Sequence, residues 1–219
     1  MKQIGILSTF AIAMALLEAA VVVYMRQLYY PENPLELFPL AFLDSFDPMV
    51  ELSREVSTIV MILAVAFLAE ASTWTKRFAA FVFVFGLWDL FYYVWLKVLI
   101  DWPQSWWEWD VLFLIPAVWL GPWICPALIA LLFTFWGGWV LISKSEFAFS
   151  PTCLTIFTIG AIVGLITFFQ PAIAYESQHG AGTLNQFEPD GFWWWMFWPA
   201  FAAMTAGLLM TRTNRNVAK

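Results

Sequence analysis

"WDLFYYVWLK", residues 88–97, falls where a membrane-spanning helix belongs, yet it carries an acid, two tyrosines and an amine. Asp89, Tyr93 and Lys97 are spaced i, i+4 and i+8, so on a helix they climb one face. A lipid-facing charge costs about 2.5–3.5 kcal/mol at the helix centre on insertion scales. The stretch therefore demands partners from neighbouring helices, and those partners define the fold and the candidate site together.

The surrounding chain is unusually apolar. Of its 219 residues 62% are hydrophobic and 12% charged, against roughly 45–50% and about 25% in soluble domains. The apolar residues come in blocks of about 20, the length that crosses a hydrocarbon core roughly 30 Å thick. Six such spans are predicted: 4–25, 49–70, 77–100, 124–142, 152–174 and 192–211. The first is too long for an ordinary signal-peptide core and is interrupted by Glu18, so it reads as an uncleaved span. The expected fold is an all-α integral membrane protein, one polytopic domain over residues 1–219.

Basic residues set the orientation. With the N-terminus inside, Lys2, Lys76, Arg77, Lys144, Arg212, Arg215 and Lys219 all fall on the inner side. An odd number of spans would strand the basic C-terminus outside. Both termini are therefore expected in the cytoplasm, in a cell membrane of the bacterial inner-membrane type.

Two connections are longer than turns. Residues 27–48 contain an apolar patch, Leu35–Leu43, that predicts an interfacial helix. Residues 101–126 hold tryptophans 102, 106, 107 and 109, suited to the headgroup region, and Pro116, Pro122 and Pro126, which resist a continuous helix. The 101–123 segment is expected to stay on the outer side without crossing. Non-helical backbone at that depth requires a cover of protein.

The polar residues of the spans converge in depth. At the helical rise, Asp89 lies about 18 Å and Glu18 about 21 Å from the inner ends of their spans. Glu51, Arg54, Glu55 and Thr58 share one side of the second span, and Arg26 ends the first. The candidate binding or ion-pair cluster is Glu18, Arg26, Glu51, Arg54, Glu55, Asp89, Tyr93 and Lys97. Expected pairs are Glu18 with Arg26 or Arg54, and Asp89 with Lys97 or Arg54. Four acids against three bases (4 − 3 = 1) leave a slight anionic excess. The bland alternative is an ion network that fixes helix register without chemistry.

Several classes are excluded. His179 is the only histidine and lies in a polar loop, so neither haem nor a His-ligated metal site is expected. Cys125 and Cys153 sit in apolar stretches and build no disulfide framework. No phosphate-binding glycine loop or nucleophile elbow occurs. The expected partners are the bilayer and other membrane subunits or a second copy, with no nucleic acid. Three functions remain open. The first is a subunit or scaffold of a larger membrane assembly of the respiratory or electron-transferring kind, whose cluster holds a lipid, quinone, ion or proton. The second is an intramembrane enzyme acting on a lipid or isoprenoid with Glu18, Glu55 or Asp89 as acid or base. The third is a small transporter, which the lack of polar residues in the inner halves disfavours.

Overall fold

A computed structural model describes residues 2–40 and 48–213. Six long helices dominate: α1 (Lys2–Tyr29), α2 (Pro48–Leu68), α3 (Trp74–Ile100), α4 (Ile124–Ile142), α5 (Pro151–His179) and α6 (Trp194–Leu209). Between α3 and α4 lies a hairpin of β1 (Trp109–Phe113) and β2 (Trp119–Pro122). Short strands β3 (Phe147–Ala148) and β4 (Arg212–Thr213) pair near the ends of α4 and α6.

Four helices, α1, α3, α4 and α5, are long and apolar enough to cross a membrane. α2 matches them in length, but its first two turns carry Glu51, Arg54 and Glu55; α6 is shorter, at 16 residues. The sequence at the helix ends explains their limits. Thr73 caps α3, its hydroxyl accepting from the Lys76 amide at 3.2 Å. α3 stops where Asp101 takes the left-handed conformation at φ 58°. Ser150 caps α5 in the same way, with Pro151 at the first helical position.

Successive helices run up and down. At one end Gln3 reaches the Glu70 carbonyl, Lys76 pairs with Glu146, and β3 pairs with β4. At the other end sit the hairpin, the 180–191 loop and the start of α6, where Trp107 meets Trp194 edge-on. Close packing of neighbours depends on small residues. A Cβ on Gly137 would stand 2.6 Å from the Ala79 carbonyl oxygen of α3. One on Gly160 would stand 2.7 Å from the Met204 amide, and one on Gly207 equally near Phe157. The α3–α4 and α5–α6 pairs therefore approach along glycine seams.

Two expectations need correction. The fold is not purely helical, because the 101–123 segment contains the β1–β2 hairpin, Trp109–Phe113 with Trp119–Pro122. Its ladder pairs Trp109 with Pro122 and Asp110 with Gly121, with a bulge between Val111 and Phe113. That ladder satisfies backbone groups that apolar surroundings would otherwise leave unpaired. The predicted interfacial helix at Leu35–Leu43 is also absent over residues 35–40, which form turn and coil. Leu40 is instead buried against the hairpin with Leu120, Leu184 and Phe187. Residues 41–43, and the basic tail with Arg215 and Lys219, lie outside the described residues.

The hairpin is thus covered on both sides. Loop residues Leu184 and Phe187 pack over one face with Trp109 and Tyr175. Phe168, Phe192 and Phe197 pack against Trp119 and Leu112. Gly121 lets the ladder close on this aromatic layer, since a Cβ there would meet the Phe192 and Phe168 rings at 3.1 and 3.2 Å.

Candidate functional site

Seven of the eight cluster residues surround one cavity between α1, α2, α3 and β1. They are Glu18, Arg26, Glu51, Arg54, Glu55, Asp89 and Tyr93; the cavity measures about 100 Å³. Asp110, Tyr92 and the backbone of residues 111–114 complete its wall. Beneath it, toward the other end of the bundle, lies a packed apolar layer that includes Ala11, Ile62, Ala80 and Val84.

Arg54 is the hub of α2. Its guanidinium pairs with Glu18 of α1 and with Glu51 one turn earlier, where Nε donates to Glu51 Oε2 at 2.7 Å. Thr58 donates to Glu18 from the same face at 3.4 Å. One arginine thereby holds two carboxylates and ties α2 to α1. Both helices pack on α3, so this bridge closes the third side of the cavity.

Glu55 does something different. Both its oxygens lie 3.0 Å from the Leu114 amide, just past the end of β1. The turn leaves that donor outside the ladder, and a buried amide without a partner is costly. Glu55 therefore fastens the hairpin to α2, but no basic side chain pairs with it among the described residues.

Arg26 and Asp110 form the deepest ion pair. Nη2 stands 3.5 Å from Asp110 Oδ1, and both side chains are almost wholly buried, at 2% and 3% exposure. The guanidinium lies 4.1 Å over the Trp102 ring, a cation–π placement. Nε and Nη1 of Arg26 nevertheless have no hydrogen-bond partner among the described residues. Burial pushes the Asp110 carboxyl up to about 6, and the Arg26 charge beside it limits that rise.

Asp89 faces the cavity without an ion-pair partner among the described residues. Lys97, the expected partner, is absent from the site. Its ammonium pairs with Asp101 at 2.7 Å and donates to the Pro103 carbonyl at 3.0 Å. The pair is half-exposed and sits on an outward groove with Trp106 and Trp123. Asp110, which sequence reading missed, takes its place in the charge count. Among the described residues the cavity then holds five carboxylates and two guanidiniums (5 − 2 = 3). These carboxylates are spread around the wall: among the described residues no three His, Cys, Asp or Glu side chains converge to hold a metal ion.

No protein-family profile, curated protein or solved structure matches the chain. The functional reading therefore rests on the site alone.

Proposed function

We propose that the chain is a six-span membrane protein, both termini cytoplasmic, that binds a small polar ligand in an outer-side cavity as a subunit of a larger membrane assembly. One observation carries this reading: a cavity walled by five carboxylates and only two guanidiniums. A network built only to fix helix register gains from neutrality, because each unpaired buried charge is destabilising. Three uncompensated acids are a liability unless protons or a bound ligand offset them. Orientation is supported by the basic residues at the opposite end, where Lys76, Arg77 and Lys144 cluster.

A second reading, an intramembrane enzyme working on a lipid or isoprenoid, has one specific support. Asp89 lines the cavity with no basic partner and is free to exchange a proton with a bound substrate. Transport is disfavoured by the apolar layer of Ala11, Ile62, Ala80 and Val84 beneath the cavity. A conduction path needs polar groups in both halves.

Purification in mild detergent, followed by native mass spectrometry, tests the binding reading. A bound small molecule should remain with the wild type and be lost from Glu55→Gln/Asp89→Asn. Empty wild-type protein whose melting temperature responds to no polar ligand would overturn it.

A further inference from the structure

The cavity has two chemical poles. Arg26 supplies one: it is 2% exposed, lines the cavity, and keeps Nε and Nη1 without partners. Those N–H groups call for an oxygen acceptor, since a buried charged donor left unsatisfied is costly. Asp89 and Glu55 supply the other pole, two carboxyls that make no ion pair among the described residues. Arg54 makes its ion pairs with Glu18 and Glu51 and reaches Glu55 only as a nearby charge, which leaves Asp89, among the described residues, the carboxyl without any cation.

Single-charge ligands fit only half of this wall. A proton or a simple cation would offset the acids and leave the Arg26 donors empty. A lone anion would satisfy Arg26 but leave Asp89 without a positive charge beside it. Water can bond Arg26 but brings no positive charge to Asp89. An inorganic divalent ion lacks three convergent carboxylates. A molecule with an oxyanion at one end and an ammonium at the other meets both demands. The volume sets an upper size: about 100 Å³ is the space of roughly three waters at about 30 Å³ each, so the molecule must be small.

We propose that the cavity binds a small ammonium–oxyanion zwitterion of the phosphoethanolamine type, its oxyanion on Arg26 and its ammonium toward Asp89 and Glu55. This rests on the binding reading above and narrows it to a ligand class. The same chemistry is carried by an aminophospholipid headgroup and by the free zwitterion. The apolar and aromatic side of the wall, Val22, Met25 and Tyr29, gives an attached lipid somewhere to lean.

The test uses the purified full-length protein and its tryptophan fluorescence. Phosphoethanolamine is titrated beside its two halves, ethanolamine and glycerol phosphate, and beside short-chain phosphatidylethanolamine and phosphatidylglycerol. The zwitterion should bind at least tenfold tighter than either half, and phosphatidylethanolamine at least tenfold tighter than phosphatidylglycerol. Glu55→Gln/Asp89→Asn should erase the preference for the ammonium, and Arg26→Lys should weaken both zwitterions. A lipid bound tenfold tighter than free phosphoethanolamine identifies the membrane as the source; equal binding identifies the headgroup alone. If one half binds as tightly as the whole, the ligand class is wrong while binding stands. If no probe binds and no molecule co-purifies, both readings fall. The wild-type series decides the matter even where a variant does not fold.

Discussion

Asp89 and Lys97, two turns apart on α3, do not meet: the Lys97 ammonium bonds Asp101 at 2.7 Å while Asp89 faces the cavity. Substitutions at the two positions should therefore act independently. Asp89→Asn and Lys97→Met are expected to change thermal stability additively, within about 0.5 kcal/mol. Lys97→Met alone should cost no more than about 1 kcal/mol, as for an exposed pair. A double-mutant cycle on the detergent-purified protein measures this, and strong coupling would contradict the geometry.

Arg54 should behave in the opposite way. Arg54→Met strips the partner from both Glu18 and Glu51, and removing one member of a buried pair costs roughly 3–5 kcal/mol. Because these groups are part-buried, the lower end is expected. Adding Glu18→Gln and Glu51→Gln should recover most of the loss in melting temperature. Failure to recover would mean the charges contribute through something other than their mutual pairing.

Asp110 makes a pH prediction. Its folded-state value of about 6 lies above its ordinary value of 3.8, so the folded protein binds the proton more tightly than the unfolded chain. The sign follows by linkage: stability from this group is full below about pH 4 and declines as pH rises toward about 6. Above that the contribution is level. Melting temperatures across this window should lose part of their slope in Asp110→Asn, and an unchanged slope would remove Asp110 from the account.

Topology can be checked with single cysteines. Ala181 lies in the exposed loop at the hairpin end and Ser145 in the exposed turn at the other end. Native Cys125 and Cys153 are both buried, so background labelling should be low. An impermeant thiol reagent applied to intact cells should label Ala181→Cys and spare Ser145→Cys. The reverse pattern would place the cavity on the cytoplasmic side.

The helices were legible because apolar runs announce themselves without long-range information. The apolar run 124–142 predicts a span, and α4 occupies it to the residue, Ile124–Ile142. The hairpin was less legible, since "WDVLF" and "WLGP" are short, apolar except for Asp110, and separated by a proline. Such strands are defined by partners from α5, α6 and the 180–191 loop, which no local pattern encodes. One signal was present: a lone acid, Asp110, among aromatic and aliphatic neighbours needs a buried cation, and Arg54 alone could satisfy Glu18, which frees Arg26 for it. Lys97 was misplaced for a simple reason. Two i+4 steps drift by about 80° around a helix, and a long lysine stem near the helix end finds Asp101 more easily than it turns inward.

The apolar layer of Ala11, Ile62, Ala80 and Val84 has an electrical meaning. This packed apolar layer, in the proposed orientation, would take most of the transmembrane voltage drop, below the cavity. In the proposed orientation a ligand or proton entering the site crosses little of the field, which is worth about 2.3 kcal/mol per full charge per 100 mV. Occupancy should then follow the composition and pH of the outer medium and stay nearly indifferent to whether the cell is energised.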